Sequence, residues 1–256
     1  MADARARRNV CILGATSAMA EHTARRLAAR GDALALVARD PARLEAMAAD
    51  LRTRGATVAT FAVPDLSQVE RPDELLGQAE VALGALDTIL IFHGYLGDQA
   101  RAETDLGELR RIWAVNATSA VELLVAGAAR LKASHHPRPV LLVVGSVAGD
   151  RGRMSNYVYG AAKAAVAATV QGLAQQFAQE GSRAKAIVVK PGLTDTPMTA
   201  DLPKGGPLWS SADTVAAVIV QALERGGPVV YAPWFWRWIM LIIRLLPQAL
   251  INKTRI

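Results

Sequence analysis

Short apolar runs alternate with longer helical stretches along this chain. Seven runs have the length of a strand and are almost continuously hydrophobic: residues 10–13, 33–38, 57–62, 88–92, 140–144, 184–189 and 229–231. Between them the pattern predicts helices at 21–30, 41–54, 72–83, about 106–131, 157–179 and 212–225. Strands that are apolar on both faces and separated by helices are typical of a parallel sheet built from right-handed βαβ units. The pattern therefore predicts an α/β protein with a seven-stranded, doubly wound parallel sheet flanked by helices.

The length and composition fit a single domain. The chain has 256 residues, is 52% hydrophobic and has a mean hydropathy of +0.20, which is enough apolar material for one large core. No linker, low-complexity stretch or solenoid-type repeat interrupts the sequence. We expect one domain over residues 1–256, in which residues 232–256 form an apolar C-terminal extension.

The net charge of +6 does not come from a clustered basic patch. Most arginines are scattered over predicted helix surfaces, which disfavours a nucleic-acid partner. A phosphate-bearing cofactor explains the charge more simply. Because no apolar core of signal-peptide type follows the N-terminus, we expect a cytoplasmic protein. Cys11 is the single cysteine, which excludes an intramolecular disulfide, and no Cys/His spacing predicts a metal site.

The turn after the first predicted strand resembles a nucleotide-binding loop. Gly14 allows a tight turn, and Ala18 and Ala20 stand where a dinucleotide fold needs small residues for pyrophosphate approach and helix packing. The position directly after the first strand strengthens this signal, which is weak by itself. We expect a Rossmann-type domain with cofactor contacts here at Gly14, Thr16, Ser17, Ala18 and Met19.

The ends of the next two strands bear on the choice of cofactor. Ala38 stands where an acidic residue would accept the ribose 2′-hydroxyl, and Arg39 follows it. A guanidinium suits a 2′-phosphate, so the sequence favours NADP(H), with NAD(H) as the alternative. Arg39 could also be a solvated arginine. Asp65 and Leu66 follow the third strand and would meet the adenine edge, unless Asp65 is only a helix cap.

Three residues in the second half of the chain form a set suited to proton transfer at a C–O bond. Tyr159 and Lys163 are four residues apart and therefore share a helix face, and Ser146 stands at the end of the preceding strand. The tyrosine would be an acid, the lysine would lower its pKa, and the serine would hold a carbonyl oxygen. Taken singly, each could be a packed aromatic, a solvated lysine or a turn cap.

These residues, in this order, resemble the short-chain dehydrogenase/reductase family over nearly the whole chain. The resemblance is carried by the Gly14 turn and by a series of later positions: Asp65-Leu66, Asn116, Ser146, Tyr159 with Lys163, and Pro191-Gly192 followed by Thr196 and Met198. It implies NAD(P)H-dependent reduction of a ketone to a secondary alcohol.

In that family the four catalytic positions have defined roles. The resemblance implies that Tyr159 is the general acid, that Lys163 also holds the nicotinamide ribose, that Ser146 stabilises the substrate oxygen and that Asn116 holds a water linking Lys163 to solvent. It also implies cofactor contacts at His93, Gly94, Pro191, Gly192, Thr194 and Thr196. The sequence departs from the family at His93-Gly94, where Asn-Asn-Ala-Gly is usual, and at Ala18 and Ala20, where glycines are usual.

A narrower resemblance is carried by residues 93–98 and 155–160 and by Tyr231-Ala232-Pro233 with the aromatic–aliphatic stretch that follows. These segments are similar to the decaprenylphosphoryl-2-keto-erythro-pentose reductases. That resemblance implies a polyprenylphosphoryl 2-keto pentose as substrate, an oxidase as partner, and a place in epimerising ribose to arabinose for the cell envelope. The alternatives are another soluble or lipid ketone, or a non-catalytic nucleotide-binding regulator.

The C-terminal segment differs in composition from the rest of the chain. It holds three of the five tryptophans, and Arg237, Arg244 and Pro247 interrupt an otherwise apolar run. This pattern is typical of a helix lying in a membrane interface, so we expect peripheral contact with the inner membrane face through residues 233–251. A groove for a polyprenyl chain, a dimer contact or a core-covering helix would fit as well. The segment that follows Thr196, to about Trp209, would be a lid over the substrate or a surface loop, and the family resemblance implies a dimer or tetramer.

Overall fold

All seven predicted strands form one parallel sheet in the computed structural model, which describes residues 7–63 and 65–253. The strands in chain order are β1 (Asn9–Leu13), β2 (Ala33–Ala38), β3 (Thr57–Ala62), β4 (Thr88–Ile91), β5 (Val140–Val144), β6 (Lys185–Pro191), the short β7 (Thr194–Asp195) and β8 (Ser210–Ser211), and β9 (Val229–Ala232). The spatial order is β3-β2-β1-β4-β5-β6-β9, and β7 pairs only with β8. The ends of the expected domain and of its C-terminal extension, residues 1–6 and 254–256, lie outside the described residues.

Helices cover both faces of the sheet, which confirms the doubly wound prediction. They are α1 (Ala18–Ala28), α2 (Pro41–Thr53), α3 (Pro72–Leu83), α4 (Gln99–Ala102), α5 (Leu106–Trp113), α6 (Ser119–Lys132), α7 (Tyr157–Gln179), α8 (Ala212–Arg225), α9 (Trp236–Leu245) and α10 (Gln248–Ile251). α1, α2 and α8 share one apolar cluster with the sheet, and α3, α6 and α7 share the other. Local caps fix several of the boundaries: Asp40 caps α2 through the amides of Ala42 and Arg43, and Gly84 ends α3 with a φ of 78°.

The helix predicted over residues 106–131 is interrupted. Five residues in π-helical conformation, Ala114–Thr118, join α5 to α6, and Asn116 lies within them. Such insertions are frequent at functional sites because they turn one side chain out of the regular helix. The whole segment, Leu106–Lys132, is long and apolar enough to cross a membrane by composition alone. Half of its most apolar window is buried against the rest of the protein, as in the core helix of a globular domain.

The apolar C-terminal helix is present, and it covers part of the core. It begins at Trp236, three residues later than the pattern suggests, and its buried face consists of Trp236 and Met240 packed on Val147. Trp234 and Trp238 are 72% and 55% exposed. The helix is therefore apolar on its buried side and on much of its exposed side.

The strand order places β1 next to β4, where the direction of winding reverses. In sheets of this type ligands bind at the carboxyl ends of the strands beside that reversal. The turns after β1, β2, β4, β5 and β6 meet at this edge, and they carry the residues of the predicted site.

Candidate active site

The turn after β1 has a shape that lets other groups come close to its main chain. Gly14 has a φ of 79°, and a Cβ there would lie 2.7 Å from the amide nitrogen of His93. The amides of Gly14 and Ala15 donate to the carbonyl of Val37, at 2.9 and 3.0 Å, which holds the turn against the end of β2. Ser17 caps α1 by accepting from the amide of Ala20 at 3.3 Å. This cradle fits a pyrophosphate, because the remaining N–H groups at the start of α1 have no acceptor within the helix.

The small residues of the turn take the positions that the sequence predicts. Ala20 is fully buried between helix and sheet, and Met19 lines the cavity at the end of β5. Arg43 also lies at this turn, although the sequence pattern does not indicate it. Its guanidinium donates to the carbonyl of Thr16 and to the carboxylate of Glu21, both at 3.0 Å. Arg43 therefore adds a second positive charge beside the turn.

Arg39 and Asp65 lie close together at the ends of β2 and β3. The Asp65 carboxylate accepts from the amide and the hydroxyl of Ser67, both at 2.8 Å, so it does cap the following turn. Burial raises the pKa of Asp65, but the Ser67 hydrogen bonds and the charges of Arg39 and His93 outweigh it and lower that pKa overall. Leu66 buries its side chain in the core, so only its main chain can face a cofactor.

His93 and Gly94 lie between the turn after β1 and the catalytic residues. His93 Nε2 is 2.8 Å from the hydroxyl of Ser119, and that hydroxyl donates to the carbonyl of Val115 at 3.1 Å. Nε2 is therefore the protonated nitrogen, and Nδ1 is a buried acceptor without a partner among the described residues. Burial and the nearby Lys163 lower the pKa of His93 to about 4, so the ring is neutral at pH 7.

Tyr159, Lys163 and Ser146 line one cavity of about 150 Å³. Ser146 caps the turn after β5 by accepting from the amide of Ala148 at 3.1 Å, and its hydroxyl hydrogen-bonds Tyr159. The Lys163 ammonium lies 5.8 Å from the centre of the Tyr159 ring and donates to the carbonyl of Val144 at 3.2 Å. The structure thus brings the three residues together as the sequence predicts.

Two glycines allow this approach. A Cβ on Gly149 would lie 2.8 Å from the backbone of α7 at Lys163 and Ala164, and a Cβ on Gly160 would lie 2.8 Å from the carbonyl of Ala148. The turn after β5 and the first turns of α7 are therefore in backbone contact. That contact sets the position of Ser146 beside Tyr159.

The pKa values differ from the sequence expectation. Burial raises the pKa of Tyr159 to about 12, and the hydrogen bond with Ser146 offsets only part of that increase. Burial also lowers the pKa of Lys163 to about 8. The expected net lowering of the tyrosine pKa by the lysine is not found. At neutral pH the chain holds a protonated tyrosine beside a charged lysine.

Asn116 is fully buried and fixes the loop that follows β4. Its amide nitrogen donates to the carbonyls of Tyr95 and Ile112, at 2.6 and 2.9 Å, and its oxygen accepts from the amide of Tyr95 at 3.1 Å. A Cβ on Gly94 would lie 3.2 Å from the Asn116 oxygen and 3.5 Å from the Lys163 ammonium. Asn116 and Lys163 therefore converge on one face of Gly94, and a water held between them stays a prediction.

The segment after β6 closes the other side of the cavity. Pro191, Gly192, Thr194 and Thr196 all line it, and the buried Thr194 hydroxyl donates to the carbonyl of Gly192 at 3.1 Å. Gly192 leaves room for the indole of Trp236, whose nitrogen would lie 1.8 Å from a Cβ at that position. Trp236 is a cavity residue that the sequence analysis did not identify, because its contact with Gly192 depends on how α9 folds back.

A wider groove continues outward from Tyr159. Its volume is about 1110 Å³. Its walls are the loop that follows β4, the segment between β5 and α7, and the stretch after β6, including the apolar side chains of Leu96, Met154, Leu193, Met198 and Leu202. Met198 and Leu202 also line the inner cavity. The segment predicted as a lid, from Thr196 to about Trp209, thus contributes to the walls of both spaces.

Comparisons with known proteins agree with this geometry. Residues 8–206 match the family model described as short chain dehydrogenase. An uncharacterised oxidoreductase of Streptomyces coelicolor is 38% identical over 250 residues, covering 96% of this chain and 95% of that protein.

Two solved structures extend the comparison. A 3-oxoacyl-[acyl-carrier protein] reductase from Brucella melitensis in complex with NAD is 25% identical, with a TM-score of 0.76, and the match covers 90% of this chain and 97% of that one. A short chain dehydrogenase from Burkholderia cenocepacia in complex with NADP has the same fold, with a TM-score of 0.75 at 20% identity over 88% of this chain and 95% of that one.

Proposed function

This chain belongs to the short-chain dehydrogenase family, and from that premise we propose that it reduces a ketone to a secondary alcohol with NADPH. As a member of that family it is an NAD(P)-dependent oxidoreductase. The observation that carries the proposal is the placement of Tyr159, Ser146 and Lys163 around one cavity, where the Ser146 hydroxyl hydrogen-bonds the tyrosine. Desolvation raises the pKa of Tyr159 to about 12, so the phenol keeps its proton at neutral pH and can give it to a carbonyl oxygen.

The chain's own residues account for the proton and for the substrate oxygen. A bound nicotinamide cofactor supplies the hydride. Ser146 donates a hydrogen bond to the carbonyl oxygen and so stabilises the negative charge that develops there. Tyr159 transfers its phenolic proton to the same oxygen. The Lys163 ammonium stabilises the phenolate that remains, because the two groups lie in a buried site where charges interact strongly.

The cofactor contacts support NADPH over NADH. The turn at Gly14 and the start of α1 would hold the pyrophosphate, and His93 Nδ1 is an acceptor available to a ribose hydroxyl. Arg39 and Arg43 place two guanidinium groups beside the end of β2, where a 2′-phosphate would lie.

We further propose that the substrate is large and lipid-linked, with the 2-keto group of a polyprenylphosphoryl pentose as the specific candidate and an oxidase as the supplier of that ketone. Two observations support a large substrate. The groove beside Tyr159 exceeds the size of a small ketone, and its Arg153 and Met154 also border the pocket beneath α9 and α10. Peripheral contact with a membrane through residues 233–251 would bring such a lipid to the groove.

The first experiment compares two tyrosines of the same helix. Tyr159→Phe removes the proposed acid, and we expect ketone reduction to fall by roughly 10²–10⁴-fold while NADPH binding, followed by cofactor fluorescence, is retained. Tyr157→Phe is the matched control, because Tyr157 lies two residues away, is exposed and contacts Glu103 rather than the cavity. Full reductase activity in Tyr159→Phe would contradict the proposal.

The second experiment addresses the substrate. NADPH oxidation is measured with a polyprenylphosphoryl ribose and its oxidase, and in parallel with a 3-oxoacyl ester and a cyclic ketone. Turnover in the first mixture supports the pentose. Turnover only with the other ketones would reject the pentose and retain ketone reduction.

A further inference from the structure

Three buried polar groups around the catalytic cavity have no hydrogen-bond partner among the described residues. They are the Nε of Arg153, the indole Nε1 of Trp236 and the side-chain oxygen of Asn156. All three residues line the cavity that holds Tyr159 and Ser146. Buried polar groups are nearly always paired, so such a cluster calls for a ligand or another explanation. The proposed proton transfer uses none of the three.

Arg153 is the charged member of this cluster, and it has no carboxylate ion pair within the described part of the chain. Its Nη2 donates to the sulfur of Met240, a weak acceptor, at 3.6 Å, and makes no other hydrogen bond with the described residues. Burial lowers its pKa, with only Asp150 acting in the opposite direction. Asp150 is already committed, because one oxygen pairs with Lys190 and the other accepts from Tyr231 at 2.7 Å.

A neighbouring residue, Arg151, makes the contacts expected of an arginine that stabilises the fold. Arg151 donates to the carbonyls of Ile243 and Leu246, both at 2.6 Å, and to the side chain of Gln248 at 2.9 Å. It therefore ties the C-terminal end of α9 to the turn before α7. Arg153, two residues further along, makes no comparable set of contacts. A role in stabilising the fold therefore does not account for the guanidinium of Arg153.

The position of Arg153 points to the substrate rather than to the cofactor. Arg153 lines both the inner cavity and the outer groove, and so does Tyr159. Of the expected cofactor contacts, the groove wall includes only Gly94 and Tyr159 within the described residues. The inner cavity also holds expected cofactor contacts such as His93, Lys163 and Thr194, whereas Gly14 and Arg39 line neither space. A group bound by Arg153 from the groove would therefore lie beyond Tyr159, on the side away from the Gly14 turn.

We propose that Arg153 recognises an oxyanion, a phosphate or a carboxylate, carried by the substrate close to its ketone. A planar guanidinium with an unpartnered Nε–H matches two oxygens of such a group, and the Trp236 N–H is a second donor in the same wall. The apolar groove beyond would hold the remainder of the molecule. This inference rests on the proposed function in placing the ketone at Tyr159, and it adds the chemical class of the substrate.

The test is a binding experiment that does not depend on turnover. Hexyl phosphate, hexanoate and hexanol are titrated by calorimetry into the full-length protein, with NADP⁺ saturating so that the cofactor's phosphate sites are filled. We expect wild-type protein to bind at least one anion roughly tenfold or more tightly than hexanol, because a charge-assisted hydrogen bond in a buried site is worth that factor. The tighter of the two anions identifies phosphate or carboxylate.

Variants at two arginines make the test specific. Arg153→Gln should remove the preference for the anion, and Arg153→Lys should keep only part of it, because lysine retains the charge but not the planar fork. Arg237→Gln removes the same charge from the exposed side of α9 and should behave as wild type. Should Arg153→Gln fail to fold, the comparison of Arg153→Lys with wild type decides.

Several outcomes would overturn the inference: no preference for either anion in wild type, an unchanged preference in the Arg153 variants, or an equal loss in Arg237→Gln. The proposed function can be rejected independently of this inference. Selective anion binding without reduction of any ketone would remove the reductase proposal and leave this inference. Ketone reduction without anion selectivity would reject this inference and leave the reductase proposal.

Discussion

The proton on Tyr159 is held by burial. With a pKa of about 12, the phenol remains protonated across the pH range of a cell, so the supply of the acid does not limit reduction. The group that titrates near physiological pH is Lys163, whose pKa burial lowers to about 8. Its charge stabilises the phenolate that proton transfer leaves behind. The pH dependence of this enzyme should therefore follow the lysine.

We predict that kcat/KM for ketone reduction falls by about tenfold per pH unit above about pH 8, because a lysine whose pKa is lowered is charged below that value and neutral above it. The measurement is a pH–rate profile at subsaturating ketone. Lys163→Arg keeps a positive charge over the whole range, so its lower activity should not decline through pH 8. A decline with the same midpoint in that variant would assign the titration to another group.

A second prediction at the residue scale concerns the choice of cofactor. Arg39→Gln should raise the KM for NADPH by roughly tenfold and leave the KM for NADH nearly unchanged, because only NADPH carries the 2′-phosphate that a guanidinium would pair with. Arg52→Gln is the control, since Arg52 is an exposed arginine that contacts Val58 and Glu45. A parallel increase for both cofactors would mean that Arg39 holds the loop rather than the phosphate.

Individual residues differ in how far the sequence predicted them. Ser146, Tyr159 and Lys163 could be found because strand and helix periodicity places them at one edge of the sheet and their order resembles that of the family. Trp236 and Arg153 could not, since their roles depend on α9 folding back onto Gly192 and the segment before α7. The raised pKa of Tyr159 was missed for a related reason: its cause is burial, which sequence spacing does not reveal, and the opposing cause is the Ser146 hydrogen bond rather than the nearby lysine.

At the scale of elements, the contact between the turn after β5 and α7 positions the catalytic residues. Gly149 and Gly160 allow backbone to touch backbone there. Neither glycine has a positive φ, so the need for glycine is one of space. Sequence reasoning alone could not distinguish these two from glycines in open loops.

We predict that Gly149→Ala lowers kcat by roughly 10–100-fold, because a Cβ 2.8 Å from the α7 backbone must push the turn, and Ser146 with it, away from Tyr159. The expected loss of unfolding free energy is about 1–3 kcal/mol. Gly152→Ala is the matched control in the same segment, since a Cβ there would meet nothing within 4 Å. Equal kinetics in the two variants would show that this contact does not set the geometry.

The exposed side of α9 supports a prediction about membranes. Trp234, Trp238, Ile242 and Leu245 follow one another at helical spacing and are all exposed, whereas Trp236 and Met240 cover the core. Such an apolar stripe beside arginines favours an anionic lipid interface. We expect the protein to sediment with anionic vesicles and to lose this binding when Trp234, Trp238 and Ile242 are changed together to Gln.

The choice of variant matters, because truncation before Trp234 would also remove the buried Trp236 and Met240. Substitution of the exposed residues leaves the covered core intact. Val81→Gln, at an apolar residue exposed on α3, serves as the control. Wild-type protein that stays in the supernatant would contradict membrane contact and would favour a protein partner for this face.

On the scale of the whole molecule, the strands were predicted to within two residues because a parallel sheet buried on both faces gives continuous apolar runs. The short α4, the π-helical residues at Asn116 and the β7–β8 pair were not predicted, since long-range packing rather than local pattern forms them.

The burial of Arg8 was not predicted either, for the same reason. Its guanidinium is buried at the opposite edge of the sheet, donates to Thr88 and to the carbonyl of Arg138, both at 3.0 Å, and pairs with Glu224.

The last prediction concerns assembly, which the family resemblance implies and the surface of the long helices supports. Val125 lies on the solvent-facing side of α6, opposite the buried Leu124 and Leu131, and is 57% exposed. We predict that the protein sediments as a dimer or tetramer of its 27.2-kDa chain and that Val125→Arg shifts it to a smaller species, because a buried unpaired guanidinium opposes association. Val81→Arg, at an apolar position that is more exposed and lies on α3, should leave the assembly unchanged. A monomeric wild type would contradict the predicted assembly. An oligomeric wild type that sediments like Val125→Arg would place the interface on a different surface, the exposed face of α9 being the first to examine.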